Sequence, residues 1–228
     1  MPNLLHYPDR AQLMRDLAER VADQLRVALA AQPSATLVVP GGTTPGPFFA
    51  ALSKADLDWP RVRVMLSDER FVPESSDRSN TALIRRLLLQ SNAENAQFVP
   101  ITALGSAPED VIDALRERIE AALPIDVLVL GMGADMHTAS LFPGADQLAA
   151  ALADDAPSLM AMRAPGAPEP RLTLTAPVLR GAKNIHLLLT GAEKKTALAE
   201  ALLEGPVIDA PVRAILGAPN PVVIHYAD

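Results

Sequence analysis

DVLVLGMGADMHTASLFPG, residues 126–144, decides how the rest of the chain is read. Asp126 to Leu130 is short, apolar and rich in β-branched residues, which suits a strand buried on both faces of a parallel sheet. Gly131 and Gly133 then let the backbone turn sharply and give a ligand close access to main-chain N–H groups. Asp135 and His137 follow at the strand's carboxyl end, the edge at which open α/β sheets bind ligands. A carboxylate two residues from an imidazole, on a glycine turn at that edge, reads as a reaction centre.

The flanking sequence repeats the strand–turn–helix pattern. Asp9 to Ala31 reads as an amphipathic helix, capped by Asp9 with Gln12 in the capping-box position; Leu13, Leu17, Val21 and Leu25 form its buried stripe. ATLVV (35–39) is a strand, and GGTTP turns it into a helix beginning near Pro45, where proline's missing N–H is harmless. RVRVMLS (61–67) is the next strand, and Ser79 or Asn80 caps a helix through Gln90. A helix over 108–123 precedes the central strand IDVLVL (125–130), and a short helix capped by Asp146 covers 146–154. Strands follow at 158–163, 171–175 and 184–190, then a helix at 192–203 and a closing strand at 221–226; the Pro-rich segment 164–170 is a loop. This alternation predicts an α/β fold with a doubly wound, mostly parallel sheet flanked by helices. No linker or repeat interrupts it, so residues 1–228 are expected to form a single domain.

Composition narrows the function. Hydrophobic residues make up 49% of the 228, enough for a sizeable core. With 27 acidic against 20 basic residues the net charge is −7, which argues against a nucleic-acid surface. An anionic substrate must therefore be held by local cations. The chain has no cysteine, which excludes disulfides, thiolate chemistry and Cys-based zinc sites. MPNLLHYPDR lacks the basic and apolar regions of a secretory signal, and no run has the apolar length that spans a bilayer. A cytoplasmic protein that engages neither membrane nor nucleic acid is the expectation; a monomer is favoured.

GMGADMHTASLFPG (131–144) resembles the G-x-G-x-D-G-H-x-A-S-L-F-P-G segment of the 6-phosphogluconolactonases. VVPGGTTPGPFF (38–49) is similar to that family's glycine–threonine–proline loop. LSDERFVP (66–73), with Ser79-Asn80 downstream, resembles its Asp-Glu-Arg-x-Val-Pro block. RLTLT (171–175) and LLTGAEKKTAL (188–198) resemble its Arg-x-Thr and Gly-x-x-Lys elements. Any one block is weak; four in order, from about residue 34 to residue 200, are strong. The resemblance implies a Rossmann-like sugar-phosphate isomerase/lactonase fold and hydrolysis of 6-phospho-D-glucono-1,5-lactone to 6-phosphogluconate in the oxidative pentose phosphate pathway. It implies no cofactor and no metal. One departure stands out: Met136 occupies the place of the family's glycine between Asp and His. Were that residue held at positive φ, the reading slightly favoured here, Met would carry strain that Gly avoids; at negative φ it would simply pack over the loop.

The candidate residues follow. His137 is one of four histidines and the only one beside a glycine turn and a carboxylate; an imidazole, with a free pKa of about 6.5, can take a proton from water near neutrality. Asp135 is either a turn residue or the group that orients the ring and stabilises the imidazolium, and the resemblance supports the pair more than spacing does. Gly41, Gly42, Thr43 and Thr44 lie between a strand and a helix N-terminus, where free N–H groups and the helix dipole attract anions. The two glycines alone better suit an ordinary tight turn; Thr-Thr-Pro and the resemblance assign the segment to substrate binding. Arg70 reads as a phosphate clamp or as a salt-bridged surface residue. Asp68 and Glu69 position it, contact sugar hydroxyls or serve the fold alone. Lys194 sits at a helix start, unfavourable for a cation unless it meets an anion, and is a second phosphate ligand; Lys195 reads as solvated. Arg171, opening a strand, is a further candidate.

Other motifs are incomplete. Gly131 and Gly133 lack the third glycine of a dinucleotide fingerprint, and GGTTPGPF lacks the lysine of a P-loop. Ser140 has no nucleophile elbow. One histidine with scattered carboxylates makes no convincing metal site. Two rivals remain. A glucosamine-6-phosphate deaminase/isomerase would carry Tyr in place of Arg70 and lack the continuation at 140–144. A non-catalytic sugar-phosphate regulator would need a DNA-binding module, for which the first helix leaves no room.

Overall fold

The apolar runs become strands, and the glycine and proline breaks set where each strand hands over to a helix. The computed structural model describes residues 2–228. In chain order the elements are β1 (Asn3–His6), α1 (Arg10–Ala31), β2 (Ala35–Val39), α2 (Gly46–Leu52), β3 (Val62–Leu66), β4 (Asp68–Arg70), α3 (Asn80–Leu87), β5 (Gln97–Val99) and α4 (Ile112–Glu120). They continue as β6 (Val127–Leu130), α5 (Leu148–Leu152), β7 (Leu159–Met162), β8 (Arg171–Leu174), α6 (Ala176–Arg180), β9 (Asn184–Thr190), α7 (Ala192–Ala201), α8 (Arg213–Leu216) and β10 (Val222–Ala227).

Among the described residues, seven strands form one sheet in the order β1-β10-β9-β6-β2-β3-β5. Every pairing in it is parallel. Its centre is buried on both faces: every residue of β2 and β6 is buried, as their largely apolar runs require. The core is one cluster that runs from this sheet into α1, whose Leu13, Leu17, Val21 and Leu25 are fully buried. No described helix is long and apolar enough to cross a membrane.

Several boundaries move. Asp9 caps α1 by accepting from the Gln12 N–H at 2.8 Å. The Gln12 side chain turns to Asp16, so the reciprocal capping box is not closed. Ser79, not Asn80, caps α3, which ends at Leu87. Asp146 does not cap α5; its carboxylate accepts from the Arg163 N–H, and that helix begins two residues later without a side-chain cap. The helix expected over 108–123 divides into a 3₁₀ turn at Pro108–Asp110 and α4.

The larger correction concerns β7 and β8. They do not join the parallel sheet but pair with β4 in a separate antiparallel sheet, β4-β8-β7. β4 was not anticipated, because Asp-Glu-Arg has low strand propensity. Ser67 makes the junction: its N–H donates to the Val39 carbonyl at the end of β2, and its carbonyl accepts from Leu174 in β8.

Candidate active site

The parallel sheet has a point at which its strand order reverses. From β2 the chain proceeds through β3 and β5 to one edge; from β6 it proceeds through β9 and β10 toward the other. β2 and β6 are neighbours, with Leu37 opposite Val127, so their outgoing loops diverge and leave a crevice between them. Those loops are the two glycine segments, 41–44 and 131–137. A cavity of about 370 Å³ opens there, lined by Gly41, Gly42, Thr44, Asp68, Arg70, Asn80, Gly131, Gly133, His137, Phe142, Arg171 and Lys194. Of the expected residues, Asp135 and Thr43 do not line it; both are exposed, and Thr43 lines a neighbouring depression with Arg10, Met14 and Thr190.

His137 and Asp135 meet directly: Nδ1 and Oδ1 are 2.5 Å apart. A carboxylate only accepts, so the shared proton belongs to Nδ1 and the Nε2 lone pair is left free. The turn that creates the contact is tight. The Gly133 N–H donates to the His137 carbonyl at 2.8 Å, and the Met136 N–H to the Gly133 carbonyl at 3.1 Å. A Cβ on Gly133 would lie 2.1 Å from His137 Nδ1 and 2.2 Å from Asp135 Oδ1, so no other residue fits beneath the pair. Met136 adopts φ 62°, the left-handed value, and is half-buried against the core. The hydrogen bond from His137 holds the Asp135 carboxyl below the usual carboxylate range, against the opposing effect of burial. The Phe142 ring packs against the imidazole, centroids 4.1 Å apart and planes tilted by 33°.

The cations come from the small sheet and from α7. Arg70 and Arg171 are directly opposite each other across β4 and β8. Like charges in that relation are destabilising. Arg171 is 7% exposed, and burial followed by the neighbouring Arg70 holds its guanidinium pKa down against the pull of Asp68. Its nearest carboxylate, Glu169, is 4.0 Å away and turned mainly to Arg78. Among the described residues, the Nε atoms of Arg70 and Arg171 are the buried side-chain nitrogens without a hydrogen-bond partner. Two opposed guanidinium groups, that of Arg171 buried and that of Arg70 half-buried, with their Nε donors unused, suit an anion. Lys194 reaches the same cavity from the first turn of α7. Lys195 instead lies over the Tyr226 ring at 5.5 Å.

Asn80 and Phe142, which line the cavity, were not singled out for the site by sequence, and Asp68 was left open between positioning Arg70, contacting sugar hydroxyls and serving the fold. Asp68 does not serve Arg70: its carboxylate accepts from Ser140 Oγ at 2.6 Å and Ser67 Oγ at 3.1 Å. Glu69 turns inward, away from the site, and accepts from the N–H groups of Arg70, Asn80 and Thr81. Only the adjacency of the Asp-Glu-Arg block to Ser79-Asn80 hinted at this. Among the described residues, no group of three or more His, Cys, Asp or Glu is placed to hold a metal ion.

Comparison with known proteins agrees on one family. The sequence model described as glucosamine-6-phosphate isomerases/6-phosphogluconolactonase matches residues 8–223. A 6-phosphogluconolactonase from Mesorhizobium japonicum is 47% identical over 225 residues, covering 97% of this chain and 93% of the relative. One from Rhizobium meliloti is 41% identical over 228 residues, covering 99% and 98%. The crystal structure of a 6-phosphogluconolactonase from Shewanella baltica superposes with a TM-score of 0.96 at 36% identity, covering 100% of this chain and 98% of that one. A monomeric glucosamine-6-phosphate deaminase, only 16% identical, still superposes at 0.82, which shows a shared fold. With the match running through nearly the whole sequence and the whole architecture, the chain belongs to the glucosamine-6-phosphate isomerase/6-phosphogluconolactonase family.

Proposed function

We propose that this chain is a 6-phosphogluconolactonase that hydrolyses 6-phospho-D-glucono-1,5-lactone to 6-phosphogluconate, with His137 as general base. One observation carries the reading. His137, bonded to Asp135, and two arginines with unused Nε donors, Arg171 buried and Arg70 half-buried, line the same cavity at the switch point of the sheet. The name shared by the relatives points to the same reaction.

In this mechanism His137 Nε2 takes a proton from water, and the hydroxide adds to the lactone C1 carbonyl. Asp135 holds the ring and stabilises the imidazolium. The tetrahedral intermediate collapses with cleavage of the C1–O5 bond, and the imidazolium returns its proton to O5. The product carboxylic acid then ionises. Arg70, Arg171 and Lys194, with Gly41, Gly42 and Thr44, hold the phosphate and the sugar. The guanidinium fork matches phosphate oxygens in pairs. The enzyme is taken to work as one cytoplasmic domain on a small soluble substrate.

The test is hydrolysis of freshly generated lactone above its spontaneous rate by the purified chain. No acceleration would overturn the reading. Release of ammonia from glucosamine 6-phosphate would move it to the deaminase branch of the family.

A further inference from the structure

A second polar side chain is wedged over a glycine, as the His137–Asp135 pair is over Gly133. A Cβ on Gly41 would lie 2.1 Å from Cγ and Nδ2 of Asn80 and 2.2 Å from its Oδ1. Asn80 is 3% exposed. Its Nδ2 donates to the Asp68 carbonyl at 3.1 Å, and its Oδ1 faces the Gly42 N–H at 3.4 Å. The amide thus grips the glycine loop on one side and β4 on the other.

What holds Asn80 is a carboxylate with no solvent exposure. Glu69 accepts from the Asn80 N–H at 2.9 Å, from the Thr81 N–H at 2.6 Å and from the Thr81 hydroxyl at 2.8 Å. It also accepts from the Arg70 N–H at 2.7 Å. The first turn of α3 is therefore bolted to β4, and the position of the Asn80 side chain is set by that attachment rather than by the loop it touches.

The loop needs such a support. Gly42 sits at φ 83°, and two consecutive glycines have more conformational freedom to lose than any other pair. Left alone, the 41–44 segment would present its N–H groups in many directions. We propose that Asn80 is a positioning residue for the substrate-binding glycine loop: it fills the space over Gly41 and fixes the Gly41–Gly42 backbone in its binding conformation, with Glu69 as its anchor. This rests on reading the loop as a substrate-binding element.

The experiment is a steady-state mutant cycle with the phosphorylated lactone, thermal unfolding being recorded for each variant. Asn80→Ala is expected to raise KM by about tenfold or more, with kcat changed less than about threefold, the scale of a misplaced binding element. Gly41→Ala, whose methyl must displace the amide, should do the same with Asn80 intact. In the Asn80→Ala background the same methyl enters vacated space, so the double variant should be no worse than the more impaired single one. Arg70→Ala serves as the reference for the substrate site. Unchanged KM in folded Asn80→Ala, or multiplying effects in the double variant, overturns the proposal. If Asn80→Ala does not fold, Gly41→Ala and Asn80→Ser decide by the same KM criterion. Unchanged KM in Arg70→Ala as well would instead bring down the reading of the site on which the proposal stands.

Discussion

At the residue scale, the chemistry depends on a turn so tight that only glycine fits at position 133. Removing the proposed base without disturbing that turn is the direct probe. His137→Asn should retain the fold and lose roughly 10²–10⁴-fold in kcat, the usual worth of general-base catalysis. Near-normal turnover in a folded variant would show that another group activates the water. Met136 is the second test at this scale. Its φ of 62° settles the backbone question raised by its departure from the family's glycine. Met136→Gly releases roughly 1–2 kcal/mol of left-handed strain. It gives back part of that through the freer unfolded chain and the lost contacts of a half-buried side chain. The variant should lie within about 1 kcal/mol of the parent in urea unfolding and keep its activity. A large loss of both would mean that methionine packing, not backbone compatibility, sustains the loop.

At the element scale, β4 does more than its three residues suggest. Asp68 ties the His137 loop to the small sheet through Ser140, and Glu69 ties α3 to it. Arg70 stands opposite Arg171 on β8. The antiparallel sheet exists to bring these groups beneath the crevice of the parallel one. Two like charges across a ladder are tolerable where an anion joins them. Arg171→Ala and Arg70→Ala should therefore each raise KM for the phosphorylated lactone by the equivalent of about 1.5–3 kcal/mol, the value of a lost charged hydrogen bond. Unphosphorylated gluconolactone should be a poor substrate whose hydrolysis hardly changes. Equal damage to both substrates would remove the arginines from phosphate recognition.

At the scale of the whole molecule, β9, β10, α1 and the segment after β1 share a buried polar chain. Tyr7 Oη lies 2.8 Å from His225 Nδ1, His225 Nε2 is 3.0 Å from His186 Nδ1, and His186 Nε2 is 2.7 Å from Gln24 Oε1. With Gln24 Oε1 accepting, each ring donates once and accepts once, so the pair is satisfied only while neutral. Burial, reinforced by Arg20, lowers the His186 pKa to about 4. Burial, His186 and Arg20 lower that of His225 to about 3. Unfolded histidines titrate near 6.5, so below that pH the unfolded chain binds protons that the folded one refuses. Stability is complete above about pH 6.5 and falls toward pH 4, by up to about 1.4 kcal/mol per unit for each ring. Urea unfolding at pH 7 and pH 5.5, above the range in which carboxylates titrate, should show the loss, and His225→Gln should lessen it. Equal stability at the two pH values would contradict the neutral pair.

By itself the sequence determined the alternation of strands and helices, the two glycine turns at strand ends and the residue types gathered there. These are local properties: an apolar run, a glycine pair or a capping aspartate acts through its immediate neighbours. Asp135, His137, Gly41 and Gly42 stood out as turn residues at strand ends for that reason, but their roles rested more on the family resemblance than on local pattern; Arg70, Arg171 and Lys194 were candidates for phosphate binding by residue type. Tertiary structure alone decided which strands pair. It drew β7 and β8 out of the parallel sheet, placed Thr43 outside the cavity, and joined His186 and His225 across 39 residues. It also set Arg70 against Arg171 and wedged Asn80 over Gly41. Such contacts join residues far apart along the chain, and no periodicity or local propensity encodes them; they exist only once burial of the shared core brings the elements together.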